Sequence, residues 1–530
     1  MDCDAVDQGA WSTIPSRALT YLTYGLTYRV FGMSPAAFHA GNLLLHVGVS
    51  LVVLGFARHF LADAAEMPAE RARRVGGWAA LGFAVHPLCS EVPNYTRARD
   101  IELVTLFSLL AGWAVLRWRR GGTWGWFGAA VAAAVAARFS KEVGLPLAVG
   151  TAVLIALGVA RRSPVEASPH TGTERTRRRR TVLLVAGGAA VLAGVVVVGG
   201  LAPLLLGTAR QSLDHPRLGW HALTEARVFW MYLARIAWPA GLCSDHLITW
   251  TLSAGDTVAW VSLATEAAVA VAGLVALCWR RQPGACAAGA LVSLAILDIA
   301  HRLFNVSGEL MVEYRMYPAM GPICILLAWG ADAVLRRVPA VRRVALGGVV
   351  AACVVVSARR SLDWHSLDAL VANVVAQYPN SARARQELQE ADVRAGRWTA
   401  AIARQDGIKQ AFDDTVAYNA GHSTRRYDLD YFMMTRVISE GNVALGLART
   451  GRRAEAFAQL TWIHTVMDNN HLAHPFFWSA YYYASALVHD TAGQHQDALD
   501  DLRTSTELAQ NNAGYQARQL RRYEHGEPLP

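Results

Sequence analysis

The stretch HAGNLLLHVGVSLVVLGFARHFL, residues 39–61, decides the fold class of this chain. A transmembrane helix needs about 20 consecutive, mostly apolar residues, and this stretch supplies them. Similar runs recur along the chain and predict about ten spans, at 39–61, 76–88, 101–118, 122–138, 143–160, 181–206, 256–279, 284–300, 317–335 and 344–358. The pattern therefore predicts an all-α fold built on a polytopic transmembrane bundle.

The composition agrees with a membrane protein that carries one polar domain. Of the 530 residues, 53% are hydrophobic and 17% charged, and a mean hydropathy of +0.22 is too high for a wholly soluble chain. Apolar residues fall mostly before about Ser361. The sequence thus predicts a transmembrane domain at 1–360 and a polar domain at 361–530, and it excludes disordered, collagen-like and disulfide-scaffold classes.

Arginine clusters give the orientation of the spans. They fall on alternate connections, which places them together on the cytoplasmic side of the cell inner membrane. The same alternation makes the polar domain extracytoplasmic. The net charge of +9 is then explained by membrane topology, and nucleic-acid binding is not supported. The clusters are Arg71, Arg73 and Arg74; Arg117, Arg119 and Arg120; Arg161, Arg162, Arg175 and Arg177 to Arg180; Arg280 and Arg281; and Arg336, Arg337, Arg342 and Arg343.

The seven cysteines show no CxxC pair and no Cys/His spacing typical of a zinc site. Several lie inside apolar runs, where cysteine behaves as a small hydrophobic residue. No tightly bound cofactor is predicted, and the sequence is silent on a divalent metal.

The N-terminal segment does not fit this topology easily. Alternation puts residues 1–38 outside, yet the chain opens Met-Asp-Cys-Asp without a signal sequence. Either the first span inserts with its N-terminus outside, or a helix upstream is missing from this sequence, and we expect the missing helix. Within the segment, Tyr21, Tyr24, Tyr28 and Phe31 share one helical face, which suits either a helix in the membrane interface or an ordinary packed amphipathic helix.

The polar domain contains a recurring Gly-x4-Ala spacing. Glycine permits a tight turn and alanine permits close helix packing, as in the turn and second helix of tetratricopeptide (TPR) repeats. The pattern predicts a TPR-like α-solenoid that binds an acceptor or partner protein. The aromatic run 476–483 lines its groove or belongs to its core. The three pairs are Gly396 and Ala401, Gly451 and Ala456, and Gly493 and Ala498.

Ionisable residues at the predicted outer face are the candidates for chemistry, because charges near a bilayer are costly unless paired or hydrated. The connection 86–100 supplies His86, Glu91, Arg97 and Asp100. Read alone, such a connection is also typical of a solvated turn.

Two further segments lie on the same predicted face. Lys141 and Glu142 sit between two spans, and Lys141 is one of only two lysines, with Lys409, among 50 basic residues. A compact ammonium suits phosphate, although chance and snorkelling also explain a lysine there. The third segment holds Glu309, Glu313, Tyr314, Arg315 and Tyr317, with His301 and Arg302 upstream. Carboxylates can supply a general base while cations hold an anionic headgroup.

Several of these segments, taken in order, resemble the membrane half of TPR-containing protein O-mannosyltransferase-like proteins, members of the GT-C superfamily. The resemblance covers about residues 15–380, and the repeats that follow agree with the family's architecture. The matching segments are RALTYLTYGLTYRVFGMSPAAFHAGNLLLH (17–46), FAVHPLCSEVPNYTRARDIELVTLF (83–107), ARFSKEVGLPLAV (137–149), YLARIAWPAGL (232–242) and VEYRMYPAMG (312–321).

The resemblance implies a membrane glycosyltransferase that moves a mannose-like sugar from a polyprenyl-phosphate donor to Ser or Thr of a protein at the outer membrane face. By motif match, the residues that line the site are His86, Glu91, Arg97 and Asp100. Lys141 and Glu142 then sit near the lipid phosphate, and Glu313, Arg315 and Tyr317 close the pocket.

The chain departs from the family at its first outer loop, where the family carries an acidic catalytic pair. This sequence begins too late to contain all of that loop, and its only nearby acids are Asp2, Asp4 and Asp7. Asp4 is the catalytic candidate among them. Three explanations stay open: these acids substitute, the chain is truncated, or this member is inactive.

Two other functions remain as alternatives. A non-enzymatic membrane scaffold would use the repeats to recruit partner proteins, and the missing loop favours it. A transporter of lipid-linked sugar is less favoured, because the charged groups gather at one face and not at the midplane.

Overall fold

A computed structural model describes residues 17–159, 218–279, 281–300, 309–470, 472, 474–509 and 514–529. These residues are almost entirely helical, with one pair of two-residue strands, which confirms the all-α prediction. The chain divides into two compact units. The first comprises the described residues up to Leu242 together with Thr257–Trp364, and the second comprises Cys243–Asp256 with the residues from His365 onward.

The described part of the first unit contains twelve helices. They are α1 (Ala18–Phe31), α2 (Pro35–Asp63), α3 (Ala69–Val85), α4 (Glu91–Asn94), α5 (Arg99–Arg119), α6 (Trp124–Ser140), α7 (Gly144–Gly158), α8 (Leu218–Ala237), α9 (Thr257–Cys278), α10 (Pro283–Ala300), α11 (Tyr317–Leu335) and α12 (Pro339–Asp363), with single 3₁₀ turns at Pro87–Cys89, Thr96–Ala98 and Glu313–Met316.

Five helical stretches among the described residues are long and apolar enough to cross a membrane, which agrees with the predicted class. The predicted run 181–206 lies outside the described residues, and the count of about ten spans stays a prediction. The five stretches are Pro35–Asp63, Thr96–Arg119, Thr257–Cys278, Glu313–Leu335 and Pro339–Asp363.

Small residues pack α5, α6 and α7 closely. Ala111 of α5, Ala133 and Ala137 of α6, and Ala148 of α7 share one buried cluster, because small side chains let helix backbones approach. Gly144 makes the turn between α6 and α7 possible, since a Cβ there would overlap the carbonyl of Ala137. This tight turn carries Lys141 and Glu142.

The second unit consists of short helices and the segment Cys243–Asp256. The helices are α13 (Leu367–Gln377), α14 (Ala382–Arg394), α15 (Trp398–Ala403), α16 (Gln405–Gly421), α17 (Leu429–Arg449), α18 (Arg453–Asn469), α19 (Pro475–Thr491), α20 (His495–Ala509) and α21 (Gly514–Glu524). Within it, β1 (Trp250–Thr251) pairs antiparallel with β2 (Arg425–Arg426).

The Gly-x4-Ala pairs lie at the helix turns of this unit. Gly396, Gly451 and Gly493 all have positive φ, between 68° and 83°, which favours glycine. The partner alanines at 401, 456 and 498 are fully buried, so each turn brings two helices into close contact. The TPR-like solenoid itself stays a prediction.

The segment Cys243–Asp256 belongs to the second unit although it precedes α9 in sequence. Asp256 accepts two hydrogen bonds of 2.7 Å from Arg425, and Cys243 packs against Val371 and Val374. The predicted domain boundary between residues 360 and 361 falls inside α12, and the compact units divide between Trp364 and His365.

Candidate functional site

Three connections of the first unit meet around Tyr314. They are the segments 86–100, 140–142 and 309–317. The Lys141 Nζ lies 5.8 Å from the centroid of the Tyr314 ring, and the Tyr95 ring lies 5.7 Å from it. The backbone of Tyr314 also donates a hydrogen bond to the carboxylate of Glu91. The residues predicted from three separate stretches of sequence are therefore neighbours.

The most accessible group of charges is centred on Asp100, and we call it the Asp100 cluster: Arg17, Asp100, Lys141 and Glu142. Lys141 Nζ is 2.9 Å from Asp100 Oδ2, and Arg17 Nη1 is 3.4 Å from the same oxygen. Arg17 also donates to both carboxylate oxygens of Glu142, at 2.7 and 3.0 Å. Asp100 is 4% exposed, whereas the Arg17 and Glu142 side chains are about a third exposed. The cluster thus has a buried carboxylate beneath a rim that solvent reaches.

Local structure explains how these groups meet. Asp100 lies in the first turn of α5, where the helix N-terminus favours a negative charge. Lys141 directly follows α6, and Thr20 of α1 donates a 2.7 Å hydrogen bond to the carbonyl of Ser140. That bond fixes α1 against the end of α6 and brings Arg17 to the rim.

Arg99, next to Asp100, holds the same region together from the inside. It is 2% exposed, and its guanidinium donates to Asn42 Oδ1 at 2.7 Å, to the Phe38 carbonyl at 3.0 Å and to Thr27 Oγ1 at 3.1 Å. These bonds tie α1, α2 and α5 together, so Arg99 positions the cluster from within the core.

A second, sealed group of charges joins Glu91, Glu313 and Arg360. Arg360 Nη2 lies 2.5 Å from Glu313 Oε2 and 3.6 Å from Glu91 Oε2, and all three residues are buried. Burial and the neighbouring Glu313 carboxylate raise the pKa of Glu91 well above its ordinary value, although Arg360 opposes this. One guanidinium therefore serves two carboxylates, and the raised pKa favours a proton on Glu91.

His86 and Tyr317 are held by hydrogen bonds within the core. The N–H of Leu88 donates to His86 Nδ1 at 3.2 Å, so Nε2 carries the proton and donates to the Ile236 carbonyl, 3.1 Å away. The Tyr317 hydroxyl lies 2.7 Å from His46 Nδ1. Both nitrogens of His86 are occupied, which favours an anchoring role over that of a base.

The remaining predicted residues lie at the edges of this region. Arg97 is exposed and forms no ion pair with a described residue, whereas Arg315 donates to the carbonyl and carboxylate of Glu309. Asp4, His301 and Arg302 lie outside the described residues. Among the described residues, no group of three His, Cys, Asp or Glu side chains is placed to hold a metal ion.

Arg17, His46 and Arg360 are site residues that were not singled out from the sequence. Arg17 opens the segment that resembles the family, and its position before the aromatic helix is the one signal that pointed to it. Arg360 follows the last apolar span at its predicted outer end, and no pattern in the sequence distinguished it from the other arginines. The ion pairs of Arg17 and Arg360 join residues far apart in the chain, which spacing rules do not capture.

Comparison of this chain with protein-family models, with curated proteins and with solved structures finds no match.

Proposed function

We propose that this chain is a multi-pass membrane glycosyltransferase of GT-C type that transfers a mannose-like sugar from a polyprenyl phosphate to a Ser or Thr hydroxyl of a protein. The observation that carries the proposal is the Asp100 cluster. It holds a shielded carboxylate within ion-pair distance of Lys141 and Arg17, below a rim open to solvent. Glycosyl transfer from a lipid phosphate needs these two elements, a base and cations for the leaving phosphate.

The proposed reaction is a direct displacement at the anomeric carbon. The acceptor oxygen forms a bond to that carbon while its proton moves to Asp100. The bond between the anomeric carbon and the phosphate oxygen breaks, and its electron pair leaves on the polyprenyl phosphate. Lys141 and Arg17 turn from their carboxylate partners to the phosphate and stabilise its charge. Exposed Arg97 is the candidate for a further contact to the donor.

The sealed group supports this site without entering the reaction. Glu91 and Glu313 share Arg360, whose side chain is 5% exposed, whereas Asp100 lies beneath the partly exposed side chains of Arg17 and Glu142. Through Arg360 they attach the connection 86–100 and the 309–317 segment to α12. We therefore assign Glu91, Glu313 and Arg360 to positioning and Asp100 to proton transfer.

Contacts between connections support the proposed alternating topology. Segments predicted to be cytoplasmic pair with one another, as Asp63 does with Arg120 and Asp332 with Arg71 and Arg342. Segments predicted to be outside pair likewise, as in the Asp100 cluster and between His86 and the end of α8. Cys243–Asp256 and the polar tail share one compact unit. Two segments of one compact unit must lie on the same side of a membrane, as the alternating topology predicts for this pair.

The second unit is proposed to hold the acceptor protein. Its three glycine turns support a row of helix hairpins, and such rows present extended binding surfaces. Trp478, Tyr481 and His464 form one aromatic group, with ring centroids 5.1 to 6.1 Å apart, and their side chains are only partly buried. This group is the proposed contact for the acceptor.

The test is sugar transfer by the purified full chain, with a radiolabelled polyprenyl-phosphate mannose and a Ser/Thr-rich acceptor. We expect Asp100→Asn to lower turnover about 10²- to 10⁴-fold, as loss of a general base does. Lys141→Ala should cost about 10²-fold or more through loss of leaving-group stabilisation. Lys409→Ala, which removes the other lysine of the chain, is the matched control and should leave turnover unchanged.

Two outcomes would contradict the proposal in different ways. Transfer that is indifferent to Asp100→Asn and Lys141→Ala would refute the site but keep the activity. A wild-type chain that is folded and transfers no sugar to any acceptor would refute the activity. Glu91→Gln distinguishes the two groups, because a positioning residue should alter thermal stability more than turnover.

A scaffold without enzymatic activity is the second candidate. Glu91, Asp100 and Glu313 are each paired with a cation, an arrangement that also suits a purely structural ion-pair network. On this reading the second unit recruits partner proteins. Retained partner binding by a chain that transfers no sugar would favour it, whereas little in the placement of the charges favours a transporter.

A further inference from the structure

An apolar cavity lies along α3, α11 and α12 of the first unit. Its volume is about 600 Å³, within the range of roughly 300–1,000 Å³ that is usual for ligand pockets. On α12 it extends from Leu346 to Val356, a distance of about 15 Å along a helix. The described residues that line it include no Asp, Glu, Lys or Arg. The cavity therefore suits a hydrocarbon chain that runs along the helices.

One end of this cavity meets a cluster of arginines. Asp332 directly follows the lining residue Ala331, and it is 2% exposed. Its two carboxylate oxygens lie 2.7 Å from Arg71 Nε and 2.7 Å from Arg342 Nη1, and Arg74 Nη2 is 3.4 Å away. Three guanidinium groups thus surround one carboxylate, so the ion pairs among the described residues leave this cluster with two excess positive charges.

The cluster also retains hydrogen-bonding capacity. Arg342 is 6% exposed, and its Nε has no hydrogen-bond partner among the described residues. Arg74 is redundant for Asp332, since Arg71 and Arg342 already occupy both oxygens. A buried donor without a partner is costly, and a phosphate oxygen would satisfy it. Topology alone requires basic residues near this face, but it does not require them to converge on one buried carboxylate.

We propose that this cavity binds an anionic glycerophospholipid, with an acyl chain along α12 and its phosphate at Arg71, Arg74 and Arg342. Charge complementarity selects this occupant, because the described residues that line the opposite end of the cavity include no Arg or Lys, and His86 is their one basic side chain. Basic pockets between transmembrane helices bind anionic headgroups in this way. The proposal rests on the membrane insertion proposed above but not on sugar transfer.

The test is lipid binding to the delipidated full chain in detergent, measured by native mass spectrometry. The probes are phosphatidylglycerol and phosphatidylcholine with identical acyl chains. We expect phosphatidylglycerol to bind at least tenfold more tightly. The double variant Arg74→Gln/Arg342→Gln should weaken phosphatidylglycerol about ten- to thirtyfold and leave phosphatidylcholine unchanged. Asp332 keeps Arg71 in that variant, and an unchanged unfolding temperature would show that the fold survives.

Two further variants test the lipid headgroup contact and the acyl-chain contact separately. Arg73 is 63% exposed and pairs with Glu70, so Arg73→Gln is the matched control and should change affinity less than about twofold. A Cβ on Gly82 meets only Cys324 Sγ, at 3.9 Å, so Gly82→Leu extends into the cavity and should weaken both lipids.

Several results would overturn the proposal. Equal binding of the two lipids, equal loss in Arg73→Gln, or full binding by Gly82→Leu would each refute it. Competitive displacement of phosphatidylglycerol by equimolar polyprenyl phosphate would instead assign the cavity to the donor. Sugar transfer is not measured, so failure here would leave the proposed activity untouched, and the converse also holds.

Discussion

The glutamates of the first unit show how setting decides what a carboxylate can do. Glu142 lies at a solvated rim, in contact with Arg17, whereas Glu91 and Glu313 are sealed inside and share Arg360. Removing a charge from water is costly, so the sealed pair depends on its one cation. The same side-chain type thus lies at a rim that solvent reaches in one place and joins buried segments in another.

Arg360→Leu should destabilise the first unit by about 3–5 kcal/mol, because two carboxyl groups would then face each other in a buried site without a cation. Thermal unfolding in detergent measures the loss. Adding Glu91→Gln and Glu313→Gln to Arg360→Leu should restore much of the stability. A single Arg360→Leu variant as stable as the wild type would contradict the ion-pair assignment.

The raised pKa of Glu91 predicts a pH dependence of defined sign. Between the ordinary pKa of a glutamate, about 4.3, and the raised folded value, the folded chain binds more protons than the unfolded chain. The contribution of Glu91 to stability is therefore present at low pH and lost as pH rises through the folded pKa. Unfolding temperatures of the wild type should show this fall, and Glu91→Gln should flatten it. A wild-type unfolding temperature that instead falls toward acid, with Glu91→Gln removing that fall, would argue against the burial of this carboxyl.

Sequence reasoning identified one member of each ion pair more easily than its partner. Asp100 and Lys141 are conspicuous, as an acid at a span boundary and as one of two lysines. Arg17 and Arg360 escape prediction because arginine occupies nearly every basic position, so no single one is distinctive. Their partners, Glu142 and Glu313, are distant in the chain, and only tertiary packing brings these side chains together.

At the scale of elements, glycines decide where helices turn. Gly144 permits the tight connection that presents Lys141, and Gly396, Gly451 and Gly493 provide left-handed turns in the second unit. The latter three were predictable, because each is followed at a fixed distance by a buried alanine. Gly144 was not, since its role depends on the Ala137 carbonyl that a Cβ would meet.

Gly451→Ala should destabilise the second unit by about 1 kcal/mol, because φ is +83° there and an L-residue with a Cβ is strained in that region. Gly407→Ala is the matched control. Gly407 lies inside α16, where a Cβ has room, and alanine should stabilise that helix by up to about 1 kcal/mol. Chemical denaturation of the full chain, followed by a probe in the second unit, measures both. Equal effects of the two substitutions would contradict the turn assignment.

At the scale of the whole molecule, apolar runs were sufficient to predict an all-α fold with helices long and apolar enough to cross a membrane. The orientation drawn from the arginine clusters stays a prediction. Helix ends were less predictable, as in α3, which begins at Ala69 where the apolar run suggested residue 76. The first turns of that helix consist largely of polar and charged residues, which a hydropathy pattern does not detect. Two of them, Arg71 and Arg74, form ion pairs with Asp332. Hydropathy identifies the apolar part of a helix but not the residues at which the helix begins and ends.

The alternating topology predicts which positions a membrane-impermeant maleimide reaches in intact cells. In a chain without native cysteines, Glu455→Cys in the second unit should be labelled from outside, because that side chain is exposed. Arg73→Cys, equally exposed, should be labelled only after permeabilisation. The opposite pattern would invert the proposed orientation.

The placement of Cys243–Asp256 has a consequence for biogenesis. The second unit is not contiguous in the chain, since β1 pairs with β2 only after more than 170 intervening residues have been made. The early segment must therefore wait through the synthesis of α9 to α16 before it finds Arg425, and such long-range closure is slow. During that interval it is open to proteases and chaperones. A fragment that begins at His365 would lack the carboxylate that Arg425 binds, and adding the segment as a peptide is the direct way to complete it.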